Sequence, residues 1–242
     1  MTPVVRTSLA SALVAAVLLP FALVARADDP PPVPAPEKPA EAPKPAEEPK
    51  AEEPVVPEKA KEFTLKDLDG KERKLSEFAG KWVVLEWINY SCPYVKKHYN
   101  TVPGATETDP ATPGNMPRLQ KKYADKGVIW LSICSSGLDK DGKPKEGYME
   151  PGAWKDAVKE RMAAPTAVLL DTDGKVGKDY GAKNTPMVWI VDPKGFIAYT
   201  GAVDDQKSAR GNPAEAKSYI AEALDAGMAG QPLAVCETQP YG

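Results

Sequence analysis

The alternation of apolar and polar positions divides the chain into three stretches of different character. From Leu9 to Val24 it is apolar almost without break, from Asp28 to Lys61 it has no periodic apolar face, and from Glu62 onward short apolar runs alternate with amphipathic ones. In the third stretch, Phe63 to Leu68 followed by Asp69-Gly70 predicts a strand entering a turn, and Lys74 to Phe78 a short helical approach to the next strand. The run Lys81 to Ile88 is too continuously apolar for a sheet with one wet face, so it predicts a buried central strand. Cys92-Pro93 stands where that strand hands over to a helix running through Val95 to about Tyr99. Proline suits the first helical position because its missing N–H would have no partner there.

Further along, Asn100 to Asn115 is dense in Gly, Pro, Thr and Asp and reads as a long loop, expected to overhang the Cys92 helix. Arg118 to Lys126 predicts a helix, Val128 to Cys134 a second buried strand, Pro151 to Ala163 a helix, and Ala167 to Leu170 a short strand. Met187 to Val191 predicts a third core strand, turned by Asp192 to Gly195 into an antiparallel partner over Phe196 to Thr200. Apolar residues at Ala216, Tyr219, Ile220, Ala223 and Leu224 predict a closing helix over Pro213 to Met228. Strands alternating with helices, then a hairpin and a last helix, describe an α/β fold with a central mixed sheet flanked by helices on both faces.

Composition sets the limits of the folded part. Of 242 residues, with 26 prolines in all, eleven prolines fall between Asp28 and Lys61 beside repeated Ala, Glu and Lys. Such a stretch cannot bury enough surface to offset its ordering entropy and predicts a disordered spacer, able to span roughly 100 Å as polyproline II. Residues 1–27, with Arg6, the apolar run and the small-x-small triplet Ala25-Arg26-Ala27, have the form of a secretory signal peptide. Retention as a membrane anchor is the alternative, but Pro20 leaves the apolar run short of the ~20 residues a span needs. Both readings place the folded part outside the cytoplasm, in the periplasm or the extracellular space. Residues 62–242 then form one domain, with a tail from about residue 230.

The formal charge of −3 divides into +2 over residues 1–27, −4 over 28–61 and −1 over the remainder. A nearly neutral folded part has no basic footprint for nucleic acid. Three cysteines and one histidine exclude disulfide-stapled miniature scaffolds and paired CxxC zinc sites. No cofactor or metal is implied. A Cys92–His98 metal pair would need a second thiolate nearby, and the charged 139–146 loop reads as solvated surface.

The segment VVLEWINYSCPYVKKHY (83–99), the Asn184-Thr185-Pro186 turn before a core strand, and the hairpin that follows resemble a thioredoxin fold. The resemblance is to the redoxin group that includes alkyl hydroperoxide reductase and thiol-specific antioxidant proteins, and it spans about Glu62 to Gly230. It places Cys92 where that group carries its attacking thiol. Backbone N–H groups and the positive end of a helix dipole favour a thiolate at such a position, with Pro93 opening the helix and Lys96 one turn on adding positive charge. Pro186 matches the group's cis-proline, and the Thr185-Pro186 turn is where a substrate's extended backbone would pair beside the sulfur. Glu86, six residues before Cys92, matches the buried acid of thioredoxins. Burial would raise its pKa and let it relay a proton, the alternative being simple pairing with a lysine.

The departures from the pattern are equally informative. A dithiol thioredoxin has its second cysteine three residues after the first, where this chain has Val95. The peroxidase signature PxxxTxxC would need Pro and Thr at positions occupied by Leu85 and Asn89. Cys134 and Cys236 are therefore the candidate resolving thiols. Cys134 reads equally well as a small buried hydrophobe, and Cys236 lies in a tail that either folds back on the site or pairs with another chain. The expected function is an extracytoplasmic thiol redox protein whose Cys92 attacks disulfides or oxidised thiols of proteins or small molecules, with an electron donor that the sequence does not name. Antioxidant peroxide reduction through a Cys92 sulfenic acid and a non-catalytic binding module are the alternatives. A membrane is a partner only if the N-terminal segment is uncleaved.

Overall fold

Three runs, VVLEW, IWLSIC and MVWIV, are apolar on both faces, and they form the middle of one sheet. The computed structural model describes residues 58–100 and 114–242, all in the unit Glu52–Gly242. The strands are β1 (Thr64–Asp67), β2 (Glu72–Lys74), β3 (Val83–Trp87), β4 (Ile129–Cys134), β5 (Ala167–Leu170), β6 (Met187–Val191) and β7 (Ile197–Gly201). The helices are α1 (Pro93–Tyr99), α2 (Asn115–Ala124), α3 (Pro151–Glu160), α4 (Lys175–Tyr180) and α5 (Tyr219–Met228). The strand order is β2-β1-β5-β4-β3-β6-β7.

β3 pairs in parallel with β4, Trp87 opposite Ile133, and antiparallel with β6, Trp87 opposite Met187. It is thus enclosed on both edges as well as both faces, and all five of its residues are buried. Side chains alternate across a strand, so the sheet has two separate cores. Val84, Trp130, Cys134, Val188 and Ile190 pack under α1, α2, α3 and α5. Val83, Leu85, Trp87, Leu131, Ile133 and Trp189 pack against α4 and the 3₁₀ turn Leu75–Phe78. Glu86 shares the parity of Val84, which directs its carboxyl beneath the helices of the first core.

The mixed sheet covered on both faces is the architecture expected. The signal segment, nearly all of the spacer and most of the 100–115 loop lie outside the described residues. Four residues assigned to the spacer do not belong to it. Lys59 bridges Phe196, Ala60 N–H donates to Gly195 O at 2.9 Å, and Ile197 N–H donates to Glu58 O at 2.8 Å, so the ordered chain includes 58–61. The final helix begins at Tyr219 and not Pro213, because residues 217–219 pair with 203–205 and the Ser218 hydroxyl caps the helix by accepting from Ala221 N–H at 3.2 Å.

Candidate functional site

β3 ends by passing Asn89 to a tight turn, where the Asn89 side chain accepts from Ser91 N–H at 2.8 Å and its carbonyl accepts from Cys92 N–H at 2.9 Å. That turn makes Cys92 the N-cap residue of α1, with Pro93 next and the Cys92 carbonyl taking Lys96 N–H at 3.0 Å. The Cys92 thiol is half-buried and donates to the backbone oxygen of Thr185 at 3.1 Å. Thr185–Pro186 is a cis peptide bond. Cys92, Pro93, Thr185 and Pro186, separated by about 90 positions in the sequence, therefore meet at one edge of the sheet. A cleft of about 420 Å³ shares Asn89 and Thr185 with the surroundings of the sulfur, and is further lined by Trp87, Ser135 and Asn184. The side-chain oxygen of Asn184 is buried without a hydrogen-bond partner among the described residues.

Glu86 is fully buried and its partners are neutral. Its carboxylate accepts from Trp130 Nε1 at 2.7 Å, from the Tyr99 hydroxyl at 2.9 Å to each oxygen, from Ser132 at 3.2 Å and from Gln120 at 3.4 Å. Burial pushes its pKa up to about 7, against the pull of those four donors. No described lysine or arginine pairs with it, so pairing with a lysine does not describe Glu86. Tyr99 stands at the end of α1 opposite to Cys92, about 10 Å of helix rise away. Glu86 is thus tied to the foot of the helix whose head carries the sulfur, and its hydrogen bonds do not include Cys92.

Of the two lysines in the middle of α1, Lys96 is exposed and makes no ion pair among the described residues, whereas Lys97 turns inward to Asp204 at 3.7 Å. The cation built into this helix is therefore Lys97. His98 is buried, with Nδ1 3.2 Å from Asn115 Oδ1 and Nε2 3.1 Å from the Tyr241 hydroxyl. Both ring nitrogens thus lie within hydrogen-bond distance of a neighbouring oxygen. Burial, helped by the Lys97 charge, pushes His98 down to about 3, which leaves it neutral. Among the described residues no group of three His, Cys, Asp or Glu side chains is placed to hold a metal ion.

Cys134 is 1% exposed at the end of β4, and burial raises its thiol pKa, both properties of a core residue. Cys236 is exposed, on a tail that pairs alongside β7. The tail does fold back toward the site, but it is Tyr241 and Gly242, not Cys236, that arrive there. Tyr241 is buried and its hydroxyl donates to Asp204. Sequence reasoning missed Lys97, Asp204 and Tyr241 as a group. The available signal was Tyr241 itself, the one aromatic side chain in the sequence beyond α5.

The AhpC/TSA family model matches residues 56–200. Among curated proteins, the thioredoxin-like protein YneN of Bacillus subtilis is 26% identical over 140 residues, which cover 58% of this chain and 67% of that protein. An uncharacterized conserved protein from Geobacillus kaustophilus has a solved structure similar to this one, with a TM-score of 0.57 and 26% identity over 76% of this chain and 87% of that one. A hypothetical protein from Sinorhizobium meliloti 1021 shares the fold at a TM-score of 0.56 and 22% identity, covering 77% of this chain and 92% of its own.

Proposed function

The chain belongs to the AhpC/TSA family, a thioredoxin-like redoxin group, and from that premise we propose that it is an extracytoplasmic thiol oxidoreductase with Cys92 as its attacking sulfur. The observation that carries this reading is the half-buried Cys92 thiol, N-cap of α1, 3.1 Å from the carbonyl oxygen that precedes cis-Pro186. A thiolate there attacks one sulfur of a disulfide, forming a Cys92–S bond as the substrate S–S bond breaks. The other substrate sulfur leaves as a thiolate and takes up a proton from water. A second thiol then attacks the mixed disulfide and returns Cys92 to its reduced form. An external thiol is the better candidate for that step, because Cys134 is buried in the core and Cys236 lies alongside β7. Export is supported by the form of residues 1–27. Among the described residues no helix is long and apolar enough to cross a membrane.

Peroxide reduction has less support. The position of the peroxidase threonine is Asn89, whose side-chain oxygen is taken by Ser91 N–H, and the position of its proline is the buried Leu85. Second-order alkylation of the reduced protein by iodoacetamide tests the proposal. In the chain carrying Cys236→Ser, which removes the exposed second thiol, Cys92 is expected to react several-fold faster than free cysteine at neutral pH and to form a mixed disulfide with a small disulfide reagent, both lost when Cys92→Ser is added. A Cys92 that reacts no faster than free cysteine would favour a non-catalytic binding module. Hydrogen peroxide is expected to oxidise Cys92 at a rate near that of a free thiol.

A further inference from the structure

Beyond α5 the chain crosses back over the outer edge of the sheet. Thr200 N–H donates to Cys236 O and Thr238 N–H donates to Thr200 O, both at 3.0 Å, so residues 236–238 run along β7 as an added edge. The Thr238 hydroxyl lies 2.6 Å from that of Tyr199 and accepts from Ala202 N–H at 2.9 Å. Three residues on, Tyr241 is 8% exposed. Its hydroxyl donates to Asp204 and lies 3.1 Å from His98 Nε2, and the Lys97 ammonium stands 4.6 Å above its ring. Asp204 is 1% exposed, and its second oxygen has no hydrogen-bond partner among the described residues. Lifting Tyr241 would take from a buried carboxylate its closest donor, so the docked state is favoured.

The docked tail reaches the site. Gly242 lies so close to Thr185 that a β-carbon on it would fall 2.3 Å from the Thr185 carbonyl oxygen. That oxygen is the one the Cys92 thiol reaches from its own side. The backbone edge an extended substrate would need is thus taken up by the chain itself, while the sulfur stays partly exposed.

We propose that residues Cys236–Gly242 form a strap across the Thr185 edge that sets substrate class: docked, it admits small disulfides to Cys92 and excludes extended polypeptides. This inference rests on the redox reading of Cys92, and the bond changes are those of the disulfide exchange given above. Two probes carrying the same leaving group separate the ideas. One is free cysteine and the other a ten-residue extended peptide with a central cysteine, each joined through a disulfide to thionitrobenzoate. Release of thionitrobenzoate is followed in the full chain carrying Cys236→Ser, with Cys92→Ser added as the blank.

With the strap docked, the peptide is expected to react more slowly than the cysteine probe. Tyr241→Ala should raise the peptide rate about tenfold, equivalent to ~1.4 kcal/mol of lost docking, and change the cysteine rate by less than about twofold. Thr238→Val, which loosens the strap away from the Asp204 cluster, should move the same ratio in the same direction and serves if Tyr241→Ala does not fold. A ratio unchanged in a folded variant would overturn the strap. No reaction above the blank with either probe would instead overturn the redox reading on which it rests.

Discussion

A carboxyl group sealed in a core with four neutral donors and no counter-charge titrates in an unusual range, and stability must follow it. Glu86 ionises near 7 when folded and near its ordinary 4.5 when unfolded. Between those values the folded state holds the extra proton, so Glu86 favours folding below 4.5 and this contribution is lost as pH rises to 7. The size is on the order of 3 kcal/mol. His98 works in the opposite sense. Pushed down to about 3 from its ordinary 6.5, it leaves the unfolded chain holding the extra proton, so its contribution is lost as pH falls from 6.5 toward 3. The two slopes oppose each other between 4.5 and 6.5. Glu86→Gln should therefore turn a nearly level wild-type curve in that window into one that declines as pH falls, as measured by urea denaturation at half-unit steps. Parallel curves for the two proteins would show that Glu86 does not titrate there. Cys92 and Glu86 were legible because each stands at a fixed offset in a strand-to-helix pattern. Asp204 was not, since an acid in a polar loop carries no sign that the fold will bury it.

At the level of elements, what the sequence made plain was decided by burial on two faces. β3, β4 and β6 are continuous apolar runs, and a run of that kind has few places to go except the middle of a covered sheet. β2 (ERK) is a polar edge strand and α4 (KVGKDY) has few apolar positions, so neither has a periodic signal. α4 exists because Asp171, fully buried, accepts from Val176 N–H at 3.1 Å and Gly177 N–H at 2.8 Å, a cap that only the folded chain assembles. Gly177 belongs to the same arrangement. A β-carbon there would lie 2.6 Å from Ser135 Oγ and 3.0 Å from Trp87 Nε1, and Ser135 is itself held by Asp171 at 2.6 Å and by Trp87 at 3.0 Å. Gly to Ala within a helix ordinarily stabilises by ~1 kcal/mol. Gly177→Ala should do the reverse and destabilise by ~1–3 kcal/mol through overpacking, which a lowered denaturation midpoint at unchanged m-value would report. A rise in midpoint would mean that the loop carrying Ser135 yields freely.

For the whole molecule, the question is where the fold begins and how its ends are held. Proline, alanine and charge continue without a break through Lys61, so composition alone puts the boundary at Glu62. The structure moves it back, because residues 58–61 carry backbone groups that the β6–β7 hairpin needs and that no local pattern reveals. Ile197 N–H donates to Glu58 O, Ala60 N–H donates to Gly195 O, and the Tyr180 hydroxyl donates to Lys61 O. The same edge of the sheet receives the C-terminal tail at Thr200, so both ends of the folded chain are stitched to β7 or its turn. A chain starting at Glu62 loses all three bonds and the packing of Ala60 against the second core. At ~0.5–1.5 kcal/mol for each hydrogen bond, it should be less stable than a chain starting at Glu58 by ~2–4 kcal/mol. A chain starting at Asp28 should match the Glu58 chain within about 0.5 kcal/mol, since the spacer has no apolar face to bury. Guanidinium denaturation of the three chains orders them. Equal midpoints for the Glu62 and Glu58 chains would return the boundary to Glu62, where composition put it.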